Sequence, residues 1–212
     1  MMSTWNFILS GSDGATYTFV EGKALTGVDP GATVGTMSGA KERTWPPGRG
    51  PAAADGRGVI AGHAVWSSTD GPLDQALVRL RPKQRWNSAV CGFGQPTSVD
   101  ASTDSLPAAV AIYGQARTRA QRPYTDYLPY GRPDREHAYK SLPVSAEDWS
   151  APVLSGDNQA LGFLSKANVT NGRDGLHPAG GWIFRLTPLM ERAGQRLGIT
   201  LQLEHRATGV AR

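Results

Sequence analysis

The chain has a single cysteine, Cys91, in 212 residues. An internal disulfide is therefore impossible, and a small exported scaffold held together by disulfides is excluded. Cys91 lies in Ala89-Val90-Cys91-Gly92-Phe93-Gly94, which reads as a strand end, so a small buried apolar side chain is expected there rather than a catalytic thiol. No run reaches the roughly 18 apolar residues of a membrane span, and Met1-Met2-Ser3-Thr4-Trp5-Asn6 lacks the basic and apolar regions of a secretory signal. These absences predict no membrane partner and a protein kept in the cytoplasm, or packed into a virion assembled there. Charge is sparse, at 19% Asp, Glu, Lys and Arg with a net +4. The densest basic group is Arg79, Arg81, Lys83 and Arg85, which alternation along a strand would place on one face. Only Trp86 stands among them as a stacking aromatic, so a solvated strand face is expected and a nucleic-acid partner is not. His63, His137, His177 and His205 show no metal-ligand spacing, and no glycine-rich loop leads into a helix carrying a lysine. Neither a metal nor a cofactor is expected.

Glycine and proline are what the chain has in quantity, 26 and 15 residues. They punctuate many short segments and predict an all-β fold. Trp5–Ser10 and Ala15–Val20 flank Gly11-Ser12-Asp13-Gly14 as a hairpin. Lys23–Gly39 is short-strand material, and Ala40–Arg57, with Trp45-Pro46-Pro47-Gly48, reads as a long exposed connection. Strands are expected over Gly58–Trp66, Ala76–Leu80, Ala108–Gly114 and Gly180–Leu186. Pro123–Pro133 reads as a loop. Val153-Leu154 and Ala160–Ser165 form a hairpin through Ser155-Gly156-Asp157-Asn158. Thr187–Leu197 has helix signals: Thr187 as cap, Pro188 in the first turn, and Leu189, Met190, Ala193 and Leu197 on one face. Glu204–Arg212 is polar and expected to fray. Periodicity alone does not choose between a barrel and a sandwich.

Four segments, in order, resemble the trypsin/chymotrypsin-like serine proteases. Gly58-Val59-Ile60-Ala61-Gly62-His63-Ala64-Val65 is similar to the strand and Ala-Gly-His that place the general base. Asp74-Gln75-Ala76-Leu77-Val78-Arg79-Leu80 is similar to the Asp-x-Ala-Leu-x-x-Leu that supplies the orienting carboxylate. Pro107–Gly114 resembles the strand that opens the second barrel. Glu147-Asp148-Trp149-Ser150-Ala151-Pro152-Val153-Leu154, with the run to Ser165, is similar to the nucleophile loop and its hairpin. The resemblance covers about residues 45–200. It implies a trypsin-like double β-barrel with a C-terminal helix, with 1–45 as an N-terminal hairpin extension or part of the first barrel, 46–105 as the first barrel half, and 106–212 as the second half with the helix and tail.

The same resemblance puts a degenerate site on these residues. Trp149 stands where the family has its serine, and an indole cannot attack a carbonyl. Ser150 is one position late, and Glu147 stands where a glycine donates an oxyanion amide. His63 and Asp74 are separated by less chain than the strand pair the family fits between them, so the first barrel has lost strands that the N-terminal 45 residues replace, or one match is accidental. Hydrolysis needs nucleophile, base and carboxylate together. The resemblance therefore implies a pseudoprotease acting as a binding or structural module, with a protein or peptide partner, or a homo- or hetero-assembly, at the former cleft. Trp149, Glu147 and Asp148 are its candidate contact residues. Trp149 fits either a plug in the cleft or an exposed anchor. The alternative is a divergent serine endopeptidase with Ser150 as nucleophile, His63 as base and Asp74 as orienting acid. A third reading is an unrelated β-sandwich.

Overall fold

The computed structural model describes residues 7–21, 25–26, 42–54, 59–68, 75–82, 86–90, 93–101, 110–112, 124–126, 137–140, 151–172 and 175–204. The N-terminal hairpin forms as its pattern predicts, with β1 (Ile8–Gly11) paired to β2 (Thr16–Glu21) across a turn in which the Asp13 carboxylate accepts from Ala15 N–H. β2 then pairs antiparallel with β7 (Gln75–Leu80), and β7 with β6 (Ile60–Ser68). The N-terminal hairpin is thus part of the sheet that carries β6 and β7, whose short connection has no room for a further strand pair.

The connection expected over Ala40–Arg57 holds two strands instead. β4 (Glu42–Thr44) and β5 (Ala52–Ala54) both pair with β6. Neither has a strand pattern of its own, and the ladder groups of β6 define them. β3 (Leu25–Thr26) pairs with β5, and β14 (Leu201–Leu203) pairs with β1. Among the described residues the first sheet runs β14-β1-β2-β7-β6-β5-β3, with β4 also on β6.

The second sheet runs β10-β13-β12-β11-β8-β9. Its strands are β8 (Val110–Ile112), β9 (Tyr124–Asp126), β10 (His137–Lys140), β11 (Pro152–Ser155), β12 (Ala160–Gly172) and β13 (Gly175–Arg185). β9 falls inside the expected 123–133 loop, where pairing with β8 overrides the proline-rich composition. β12 and β13 run far beyond the expected hairpin, pairing as far as Gly172 and Gly175.

The helix α1 (Leu186–Leu197) follows β13 directly and buries Leu186, Pro188, Leu189 and Ala193. Thr187 does not cap it. The N-cap is Arg185, and the Thr187 hydroxyl donates to the Asp100 carbonyl at 2.8 Å. Gly198 ends the helix in the left-handed conformation that a residue without Cβ adopts freely. Arg192 and Arg196 both donate to the carboxylate of Glu42, binding the outer face of α1 to β4.

Alternation along the strands sorts the interior into two clusters. Val20, Ala64, Ala76, Val78 and Leu80 pack on one face of the first sheet with Ile8, Leu25 and Ala53. Tyr17, Phe19, Trp66 and Leu77 occupy the other face, where they meet Leu154, Phe163 and Phe184 of the second sheet and Leu186, Leu189 and Ala193 of α1. A β-bulge between Ala64 and Trp66 turns Trp66 onto this junction face. There Phe19 stacks on Phe163 with centroids 6.2 Å apart and meets Trp66 edge-on at 6.3 Å, and Phe163 packs on Phe184 at 5.6 Å. Aromatic contacts of this kind add to a large burial term. Phe163→Ala is expected to cost about 3–5 kcal/mol, read as a lower midpoint in urea unfolding; an unchanged midpoint would remove Phe163 from the core that joins the sheets.

Candidate functional site

His63 is the one proposed triad member within the described residues. Asp74, Ser150, Trp149, Glu147 and Asp148 lie outside them, as does Cys91. Their described neighbours are well buried: Gln75, bonded to Asp74, is 2% exposed, and Ala151, bonded to Ser150, is fully buried. Ala151 accepts from Leu164 N–H at 2.9 Å, so the chain leaving Ser150 joins the second sheet at once.

The β6–β7 register places His63 opposite Arg79, and Arg79 lies opposite Tyr17 on β2. Directly opposed residues share a face, so Tyr17, Arg79 and His63 form one row. The next row on that face is Phe19, Leu77 and Trp66, and beyond it Gln75 lies opposite Ser68. Four residues of β7, about 13 Å at the rise of an antiparallel strand, separate the level of His63 from that of Gln75. The aromatic row stands between them.

The half-buried imidazole of His63 has its own partner. Nδ1 donates to the Gly50 carbonyl at 3.0 Å, because a carbonyl can only accept. That nitrogen is the one that a triad needs for its carboxylate. Gly50 is held there by a close approach: a Cβ would lie 1.9 Å from the Ala64 carbonyl oxygen. The same turn gives Ala64 N–H its acceptor, Pro51 O, at 2.9 Å.

At the other end of the row, Tyr17 donates to Asp13 Oδ2 at 2.8 Å, and Arg79 Nη2 lies 3.7 Å from the same oxygen. Burial, then the Asp13 hydrogen bond and charge, push the Tyr17 phenol well above the usual tyrosine range. β7 ends at Leu80, and Arg81 is exposed beyond it. The expected four-residue basic stripe therefore has only Arg79 within the strand; Lys83 and Arg85 lie outside the described residues.

The sequence reading passed over Ser68 and Gln75. Both are buried polar residues whose side-chain Oγ, Oε1 and Nε2 lack a hydrogen-bond partner among the described residues, as does Nε1 of Trp66 beside them. A glutamine opening the apolar run Ala76-Leu77-Val78 was the available signal, and it reads as an ordinary strand start. A second unread feature is the ribbon of β12 and β13. β11 pairs with β12 only as far as Phe163, and β10 pairs with β13 from Gly181. Among the described residues no strand joins the outer edge of β12 from Ser165 to Gly172. A strand edge without a neighbour accepts an extended segment by main-chain hydrogen bonds. Among the described residues no group of three or more His, Cys, Asp or Glu could hold a metal ion, and no helix is long and apolar enough to cross a membrane.

No protein-family model matches the chain, and no curated protein matches it. Among solved structures it is similar to a glutamic-acid-specific serine protease described as using a novel histidine triad in substrate binding. The TM-score is 0.54 at 13% identity, covering 95% of this chain and 92% of that one. The likeness shows the fold: mostly β, chymotrypsin-like, with a C-terminal helix.

Two outcomes follow from the row. Gly50→Ala should cost about 1–3 kcal/mol through its clash with Ala64, measured by urea unfolding, with no loss if the turn can shift freely. Tyr17 has a folded pKa raised above its unfolded value near 10, so its contribution is complete below pH 10. As pH rises further the unfolded chain loses the phenol proton first, and stability falls by about 1.4 kcal/mol per pH unit. Tyr17→Phe should flatten that alkaline slope in unfolding titrations; an unchanged slope would assign it to another group.

Proposed function

We propose that this chymotrypsin-like fold is catalytically silent and serves as a binding or structural module that holds a protein or peptide at the junction of its two sheets. The observation that carries the reading is the hydrogen bond from His63 Nδ1 to Gly50. It occupies the nitrogen that an orienting acid would use, on a row one aromatic layer away from the strand end that continues into Asp74. The sequence adds Trp149 at the serine position and Glu147 at the oxyanion glycine. A base whose Nδ1 is taken by a main-chain carbonyl and a loop with tryptophan at the serine position both work against acyl transfer. The edge of β12 beyond Leu164, which no described strand covers, supports retained peptide binding, since main-chain pairing needs no triad. A place in an assembled particle such as a virion fits the same reading, by analogy of composition alone.

The described histidines His63, His137 and His177 are spread along the two sheets, and His205 lies outside the described residues. His137 lies opposite Phe184, while His177 lies seven residues away along β13, about 24 Å. His63 belongs to the other sheet. Glutamate specificity is therefore not part of the proposal.

The competing reading is a divergent endopeptidase using Ser150, His63 and Asp74. A fluorophosphonate probe on the pure folded chain separates the two. No covalent adduct is expected, and Ser150→Ala and His63→Ala should leave any background hydrolysis of a peptide library unchanged. Stoichiometric labelling that Ser150→Ala abolishes would establish the endopeptidase and end the silent reading.

A further inference from the structure

Four polar atoms at one end of the sheet junction have no hydrogen-bond partner among the described residues: Trp66 Nε1, Ser68 Oγ, and Gln75 Oε1 and Nε2. Their residues are 0%, 3% and 2% exposed. The register makes them neighbours, with Ser68 opposite Gln75 and Trp66 opposite Leu77 in the adjoining row of the same face. A hydroxyl, an indole N–H and a whole carboxamide thus have no protein partner among the described residues, which works against folding unless another group supplies one. Buried polar groups in native proteins are satisfied almost without exception, by protein, water or ligand.

We infer that Trp66, Ser68 and Gln75 form a recognition pocket for a neutral amide, the carboxamide or peptide unit of the bound partner. The inference rests on the reading of the junction as a place that binds a protein or peptide. Gln75 presents a donor and an acceptor side by side in one plane, which match the C=O and the cis N–H of a primary carboxamide in a two-bond ring, whereas a trans peptide unit, whose C=O and N–H point apart, offers Gln75 one bond at a time. The second lone pair of that carbonyl is then free for the Ser68 O–H or the Trp66 N–H. A carboxylate is the wrong ligand. It has acceptors only, so it would face Gln75 Oε1 without a proton between them, and the nearby arginines Arg192 and Arg196 already donate to Glu42, which lies opposite Ser68. Ser68–Gln75 is also the last pair of the β6–β7 ladder, which places the pocket at the end of the aromatic row rather than within it.

The test uses the full chain labelled with nitrogen-15 and three small probes: propionamide for a side-chain amide, N-methylacetamide for a peptide unit, and propionate as the charged counterpart. The indole N–H of Trp66 and the side-chain N–H pair of Gln75 report by their chemical shifts. Both signals should move with at least one amide, the more effective of the two identifying the source, and neither should move with propionate. Gln75→Met should abolish the response and raise Tm by about 2–4 °C, since it removes unpartnered polar atoms while keeping the volume. Ser68→Ala should weaken the response with Tm unchanged or higher. The pocket is overturned if neither amide moves the two signals at its solubility limit, if propionate moves them equally, or if both variants lower Tm, which would mean that the atoms are satisfied within the fold. Fluorophosphonate labelling alongside a normal amide response would overturn the silent reading and leave the pocket standing.

Discussion

Phe19 is the contact on which the two sheets depend. It belongs to the N-terminal hairpin, yet it stacks on Phe163 of the second sheet and takes the edge of Trp66 from its own. Its neighbour Val20 faces the other way, into the cluster inside the first sheet. The side-chain period of a strand is two, so a one-residue slip of β2 would exchange these roles and spoil both clusters together. The register Phe19↔Leu77 is therefore enforced from both faces, and the positions of the Tyr17 row and the Ser68 row follow from it.

The same hairpin accounts for the short stretch of chain between His63 and Asp74. The resemblance to trypsin-like enzymes calls for a strand pair between the strands that carry these residues. Here β6 returns to β7 through a connection too short to hold one, and β2 covers the free side of β7 instead. His63 then sits well back along β6, level with Arg79, and its ring nitrogen finds a main-chain carbonyl in the β4–β5 turn.

Legibility in the sequence followed the range of the interactions. The β1–β2 hairpin, β6, β7, the turn after Ser155 and α1 carry local signals: alternation, Gly and Asp turn residues, and an apolar stripe. β4, β5, β9 and β14 do not, because strands of three residues exist only where a longer neighbour supplies their ladder. Ala52–Ala54 could not be read as a strand from three alanines. Thr187 carried the right chemistry for a cap, but the Asp100 carbonyl, distant in sequence, took its hydroxyl. The candidate site was legible as a set of residue types in order. The Gly50 partner of His63 and the unpaired amide of Gln75 depend on which strands lie side by side, and no local pattern encodes that.

β14 lies against β1, with Leu203 opposite Leu9. The outer edge of the β1–β2 hairpin therefore stays unfilled while all of the chain between Gly11 and Leu201 is synthesised. Leu9, completely buried in the finished molecule, keeps an uncovered flank throughout that interval. Pairing across so much sequence closes late and slowly. β14 thus seals the first sheet from far along the chain: a chain cut short before Leu201 would leave the outer edge of β1 open and flanked by apolar side chains.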